Sequence, residues 1–204
     1  MTVGFLSGCL YDLFMLPGER LGFTRRRRDL VHELRGRVLE VGSGTGLNFP
    51  QYGSSATVIA VDPKISHIRY ARRRRRLGLH QVCARAEALP FRDATFQAAV
   101  GTLVFCTVTD PERGLGELRR VLEPEAELRL IEHVRWERRP ALARLQDWLT
   151  PAWKVISSGC HLNRATERMI ERAGFKIERR REDFDGIFVE VHARLESTRH
   201  LTPP

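Results

Sequence analysis

The run Val38-Leu39-Glu40-Val41-Gly42-Ser43-Gly44-Thr45-Gly46 constrains this chain more than any other segment. A short apolar stretch holding one acid breaks into three glycines on alternate residues, the pattern of a buried strand entering a tight turn. Glycine lacks a Cβ, so such a turn can take left-handed backbone angles and let a ligand lie against bare main chain. A helix opening just beyond would aim unpaired N–H groups at that ligand. The next apolar run, Thr57-Val58-Ile59-Ala60-Val61, ends in Asp62, where a carboxylate can hold ribose hydroxyls. Together the two features predict a nucleoside site.

Spacing narrows the nucleoside. A dinucleotide fingerprint places its third glycine three residues after the second. Here Gly46 follows Gly44 by two, and Leu47 stands where that pattern wants glycine. Glu40 through Gly46 with Asp62 resembles the class I S-adenosylmethionine-dependent methyltransferases. Further resemblance lies in Ala86-Glu87-Ala88-Leu89-Pro90-Phe91, in Ala98 to Leu103, and in Glu117 to Leu122 followed by Pro124. The resemblance implies a doubly wound α/β fold, a Rossmann-like, mostly parallel seven-stranded sheet whose last strand enters antiparallel. It implies S-adenosylmethionine as cofactor and S-adenosylhomocysteine as product. Gly42, Ser43, Gly44, Thr45, Gly46 and Asn48 would then surround the methionine part, with Glu40 near its amino group. Asp62, Pro63 and Lys64 would meet the ribose, Ala86 and Glu87 the adenine, and Thr102 and Leu103 the underside of the sulfonium. One departure is visible: the family places glycines after that proline, whereas Glu125-Ala126 stands here.

Composition bounds the rest. With 204 residues and 42% hydrophobic content the chain reads as one domain, residues 1–204, long enough for a substantial core. No apolar run approaches the roughly 20 residues that span a bilayer. The start, Met1 to Leu16, has no basic residue before its apolar stretch and contains Asp12, which makes a poor signal peptide. Cys9, Cys83, Cys106 and Cys160 are scattered without paired spacing, which favours thiols in a reducing, cytoplasmic compartment and predicts no metal site. The net charge of +9 invites a nucleic-acid reading. Yet only three lysines accompany 31 arginines, a skew that places arginine on ordinary solvated faces. The runs Arg25 to Arg28 and Arg72 to Arg76 also lack the interleaved aromatics of a single-strand stacking platform. Nucleic acid is therefore the weaker reading; basic clusters beside an apolar segment equally suit peripheral contact with an anionic membrane. Nothing in the sequence sets an oligomeric state.

Along the chain, residues 1–35 form an N-terminal cover, with a helix predicted from Pro17 to Leu34. Strands are predicted at Arg37 to Val41, up to Asp62, at Leu79 to Ala84, at Phe96 to Thr102 and at Glu127 to Val134. Helices are predicted after Gly46, from Pro63 through the arginine run to Gly78, from Asp110-Pro111 to about Leu122, and from Asn163 to Ala173. Asp110 caps its helix, with Pro111 first inside it. Phe175 to Arg181 and Ile187 to His192 suggest a closing antiparallel pair. Pro140 to Ser158 is aromatic-rich, and residues 140–162 are read as an insertion over an acceptor site; residues 195–204 read as a loose tail.

The insertion narrows the acceptor. Asp147 to Lys154 and Gly159 to Arg164, with Glu132-His133-Val134 and Leu103 to Cys106, are similar to methyltransferase-like thiol S-methyltransferases. Tyr11-Asp12-Leu13-Phe14 also looks like bacterial phospholipid N-methyltransferases, and quinone methylation at a membrane is a related alternative. The resemblance implies direct transfer to a small, largely apolar acceptor, a thiol first. A protonated nucleophile must lose its proton. His133, at a strand's carboxyl end over the crevice, is the leading base or orienting group; a hydrogen-bonded structural histidine is the competing reading. His161 either assists or orders its loop. Cys106 and Cys160 read as small packing residues, since direct transfer needs no covalent intermediate. Trp148 and Trp153 line an acceptor pocket or bury the insertion.

Overall fold

The computed structural model describes residues 2–74, 76–136, 139–156, 159–183 and 186–196, with side chains from residue 8 onward except at 155 and 156. Arg75 of the second arginine run, Ser157 and Ser158 of the insertion, and all but the first two residues of the expected tail lie outside the described residues. The chain order is α1 (Thr2–Gly18), a π-helical turn (Glu19–Phe23), α2 (Thr24–Val31), β1 (Gly36–Val41) and β2 (Ala56–Asp62). Then come α3 (Ile65–Ala71), β3 (Leu79–Cys83), β4 (Phe96–Thr102), α4 (Pro111–Val121) and β5 (Leu122–His133). The chain closes with α5 (Pro140–Ile156), α6 (Thr166–Arg172), β6 (Phe175–Asp183) and β7 (Phe188–Leu195).

Seven strands form one sheet in the order β3-β2-β1-β4-β5-β7-β6, and β7 runs antiparallel to both of its neighbours. The central strands are apolar on both faces because helices cover both. On one face Leu39, Val41, Ala99, Leu128 and Leu130 pack against Leu115 and Leu118 of α4 and Ile170 of α6. On the other, Val38, Val58, Ala98, Val100 and Ile131 pack under Phe23, Leu30 and Val31 of the N-terminal cover. Strand order reverses between β1 and β4, so a crevice opens beyond their carboxyl ends, the place where open α/β sheets take ligands.

Several elements differ from the sequence expectation. The predicted Pro17 to Leu34 helix is two helices: Gly22, at φ +114, breaks it, and helical structure begins at Thr2. After Gly46 there is a single 3₁₀ turn, Phe49–Gln51, instead of a helix. The turn is followed at once by extended Tyr52 and by Gly53, which has His32 O 2.4 Å from where a Cβ would sit. The helix entering the arginine run ends at Ala71, tightening to 3₁₀ over Arg72–Arg74. The insertion is largely one helix, α5, and α6 begins at Thr166 rather than Asn163. β5 starts at Leu122, which pairs with Phe96; β4 then advances two residues to Ala98 while β5 bulges to Glu127. Inside that bulge Glu125 sits at φ +61, a left-handed geometry that favours glycine.

The arginine runs are not simply solvated faces. Arg27 is 4% exposed. Arg74 donates to the Thr45 carbonyl at 2.8 Å, and Arg76 to the carbonyls of Ala56 and Gly53. A guanidinium presents a fork of donors that can satisfy several carbonyls at a loop, which a lysine could not do as well.

Candidate active site

The glycine turn leaves β1 with Gly42, Gly44 and Gly46 at φ +63, +54 and +80. Two of these glycines are also required by packing. A Cβ on Gly42 would lie 2.6 Å from Val104, and one on Gly46 would lie 2.6 Å from the Phe49 ring. Gly44 is different: a Cβ there would meet only the Gly42 carbonyl, 3.9 Å away, so its backbone faces open space. The Ser43 hydroxyl beside it is buried with no hydrogen-bond partner.

Asp62 fixes this turn from the end of β2. Its Oδ2 accepts the Gly44 N–H at 2.9 Å and its Oδ1 accepts the Lys64 N–H at 2.8 Å, with His67 Nδ1 3.3 Å from Oδ1. Each carboxylate oxygen keeps a second lone pair for a ligand hydroxyl. Pro63 and Lys64 are exposed at the rim. Ala86 packs in the core beside α4, and Glu87 accepts the Asp110 N–H at 3.4 Å. Asp110 itself caps α4 by accepting the Arg113 N–H at 3.0 Å.

The floor of the crevice is a buried polar chain. Asn48 donates through Nδ2 to Glu40 Oε1 (3.2 Å) and to Thr102 Oγ1 (3.1 Å). Its Oδ1 accepts from Arg27 Nη1 at 2.8 Å, and Arg27 Nε donates to Glu19 at 2.8 Å. Glu40 is 1% exposed, and burial pushes its carboxyl up to about 7, against the pull of the Tyr52 phenol, Arg27 and Asn48. Neither its Oε2 nor the Tyr52 hydroxyl closes a well-formed hydrogen bond. A buried, incompletely satisfied carboxylate beside an open glycine turn fits the ammonium of an amino-acid moiety, and the orphan Ser43 hydroxyl fits the carboxylate.

Beyond β4 the backbone strains. Leu103 has φ +58, sparsely populated for leucine and typical of residues at ligand sites. His133, at the end of β5, shares the face of Ile131, with its ring edge-on to Phe188 at 5.2 Å between centroids. Burial pushes His133 down to about 4, only partly opposed by the Leu162 backbone, so the ring is neutral at physiological pH. His161 lies on the loop after α5, where its Nδ1 is 3.2 Å from the Cys106 carbonyl and its N–H donates to the same oxygen at 2.7 Å. That contact orders the loop. The hydrogen bond to Cys160 and burial push the Cys106 thiol well above its usual range, the opposite of what a nucleophilic thiolate requires. Trp148 is 76% exposed and lines no buried pocket.

Glu40, Gly42 to Gly46, Asn48, Asp62 and Thr102 thus converge on the ends of β1, β2 and β4, and His133 lies on the same face of the sheet. Three contributors escaped the sequence reading: Arg27, Tyr52 and Glu132. A signal existed for two of them. Phe23, Arg27, Leu30, Val31 and Leu34 share one helical face, and Leu128, Leu130 and Glu132 share one strand face.

Comparison with known proteins now decides the family. A methyltransferase-domain model matches residues 39–130, from the centre of β1 to within β5. The chain is 34% identical over 159 residues to phosphatidylethanolamine N-methyltransferase of Cereibacter sphaeroides, covering 71% of this chain and 73% of that protein. This protein belongs to the S-adenosylmethionine-dependent methyltransferases. It is also 35% identical over 144 residues to thiol S-methyltransferase TMT1B of Rattus norvegicus, covering 68% of this chain and 59% of the relative. The chain therefore spans less than two thirds of that methyltransferase's length. An S-adenosylmethionine-dependent methyltransferase of Thermotoga maritima has the same fold, with a TM-score of 0.65 at 23% identity, covering 91% of this chain and 98% of the other. S-adenosylmethionine is the cofactor of the family, and the orphan polar atoms and open glycine turn described above fit it.

Proposed function

We propose that this methyltransferase methylates a small, largely apolar acceptor, a thiol first, by direct displacement in the crevice over β1 and β4. The observation that carries the thiol is the 35% identity to a thiol S-methyltransferase. When bound, S-adenosylmethionine supplies an electrophilic methyl carbon on a sulfonium. Glu40 holds its ammonium, the turn from Gly42 to Gly46 with Ser43 receives its carboxylate, and Asp62 keeps the turn in shape while meeting the ribose. The N-terminal cover and the apolar rings of Phe23 and Phe188 exclude water, which favours attack by an aligned nucleophile. His133, held neutral, is the group available to orient the acceptor or take its proton.

Purified protein with methyl-labelled S-adenosylmethionine, offered alkyl thiols, amines, phenols and phospholipid vesicles separately, tests this. Label should enter the thiols. Label in phospholipid alone would sink the thiol assignment.

One observation favours a membrane-facing second reading. Leu10, Leu13 and Phe14 of α1 and Leu145, Trp148 and Leu149 of α5 are all exposed, and Phe14 meets Trp153 at 6.2 Å between ring centroids. The i, i+3, i+4 spacing gives each helix one apolar stripe, and exposed Arg20, Arg25 and Arg28 follow α1. This supports peripheral contact with anionic lipid and an amphiphilic acceptor, in keeping with the similarity to a phosphatidylethanolamine N-methyltransferase. No helix among the described residues is long and apolar enough to cross a membrane. Sedimentation with anionic vesicles that persisted after Leu13→Ser and Trp148→Ser would remove these stripes from the contact.

A further inference from the structure

The loop after β4, residues 103–108, is gripped on both of its polar sides by groups outside the set proposed to hold the cofactor. Glu132, 2% exposed at the end of β5, reaches its amides. Its Oε1 accepts the N–H groups of Val104 (3.0 Å) and Phe105 (2.9 Å), and its Oε2 accepts that of Cys106 (3.1 Å). Consecutive amides turned toward one point form a nest for an anion, and here the anion is built into the chain. On the carbonyl side, Arg164 donates through Nη1 to Phe105 O and to Val108 O, the latter at 2.7 Å. His161 N–H donates to Cys106 O at 2.7 Å.

The residue just before this clamped stretch is Leu103, at φ +58, whose own N–H is tied to Ile131 O at 2.8 Å. A leucine stays in a left-handed conformation only where its surroundings over-determine it. The side chains that do so come from β5 and from the segment following α5, so three separate parts of the chain meet at one loop.

We infer that Glu132 and Arg164 are positioning residues that lock the β4 loop from opposite sides and hold Leu103 in its strained conformation at the mouth of the crevice. The inference rests on methyl transfer but is independent of the acceptor. Neither residue touches the reacting atoms; each sets the wall against which the acceptor is aligned.

Glu132→Gln tests it, because a carboxamide offers one acceptor oxygen where the carboxylate offers two. With 2-mercaptoethanol, or the acceptor wild type does methylate should thiols be refused, kcat should fall about 10–100-fold, the scale of a small misplacement. The Kd for S-adenosylmethionine by calorimetry should weaken far less than kcat, by no more than about threefold, since Leu103 is one contact among the many from the glycine turn, Glu40 and Asp62 that are proposed to carry binding. Amide exchange of residues 103–108 in the same variant should accelerate whatever the acceptor proves to be. In a Leu103→Gly background, where the left-handed backbone is unstrained, Glu132→Gln should cost less than about threefold, a coupling a double-mutant cycle reads directly. Should Glu132→Gln not fold, Arg164→Met releases the carbonyl side and should give the same split between kcat and Kd. Unchanged exchange, equal loss of turnover and cofactor affinity, or the same penalty with Gly at 103 would each overturn the proposal.

Discussion

Arg27 Nη1 donates to Asn48 Oδ1 at 2.8 Å, and this single bond joins the N-terminal cover to the floor of the crevice. Asn48 in turn spends both of its N–H donors on Glu40 and Thr102, so the cover, the glycine-turn strand and β4 share one polar chain. Arg27→Met keeps the length and apolar stem but removes the donors. It leaves Glu19 and Asn48 short of partners in a buried site, which costs on the order of 3 kcal/mol when one side of a buried pair is deleted. Thermal or urea unfolding should show that loss, and affinity for S-adenosylmethionine should drop with it. A variant as stable as wild type would show that this bond is dispensable to the cover, which Tyr70 and Arg74 also tie at Asp12 and Arg129 at the Leu30 carbonyl.

Glu40 gives cofactor binding a pH dependence of defined sign. Burial raises its carboxyl to about 7, so below that pH the unliganded site is protonated. An ammonium placed beside it favours the charged form, so binding expels a proton. Affinity should therefore rise as pH increases from 5.5 to 7, by up to about tenfold per unit, and then level off. Without ligand, the raised value means Glu40 adds stability below about pH 4.5 and loses it as pH climbs through 7, on the order of 3 kcal/mol at most. Calorimetry in buffers of differing ionisation heat measures the released proton. Proton uptake on binding, or a Glu40→Gln variant with an unchanged pH profile, would contradict the assignment.

The strand positions and the glycine turn were readable because they rest on local patterns: apolar runs for buried parallel strands, and glycines where φ turns positive. Asp110 was readable as a cap because Pro111 fixes the first helical position. What escaped was determined at long range. Nothing adjacent to Arg27 says that a guanidinium will be buried; its counter-groups, Glu19 and Asn48, lie on different elements, and only the helical spacing with Phe23 and Leu30 marks its face. Glu132 stands beside His133, and the histidine invites the functional reading because an ordinary imidazole titrates near neutrality. Strand alternation put the acid inward and the amides of the β4 loop claimed it. The helix expected after Gly46 stops at one turn because Tyr52 goes extended and Gly53 lies against the His32 carbonyl, a contact made at long range.

His133 should not titrate near neutrality. Desolvation holds its ring neutral, with a value of about 4, so kcat carries no limb from this residue between pH 5.5 and 8. Any limb that does occur near pH 7 comes from another group, with Glu132 raised by burial to about 7 the first choice. That limb should persist in His133→Ala while the rate itself falls. If the limb vanished with the histidine, His133 would be a near-neutral base and its packing against Phe188 would have to open in the loaded enzyme. An unchanged rate would remove it from the mechanism.

Two glutamates of the same strand should respond in opposite directions to the same substitution. Glu125 holds φ +61 in the β5 bulge, where a side chain costs about 1–2 kcal/mol and glycine costs little. Its backbone carbonyl accepts from Arg194 at 2.9 Å, and that bond survives any side-chain change. Glycine's extra freedom in the unfolded chain takes back part of the gain, leaving about 0.5–1 kcal/mol of stabilisation for Glu125→Gly. Glu127, two residues on, lies in the regular ladder opposite Ala98 and pairs with Arg129 at 2.6 Å. Glycine there removes the ion pair and loosens a strand interior, so Glu127→Gly should destabilise by about 1 kcal/mol. Urea midpoints of the two variants, read against wild type at unchanged slope, decide the matter. If both fall, the bulge does not carry the strain that its backbone angle implies, and the departure from the family's glycine is neutral.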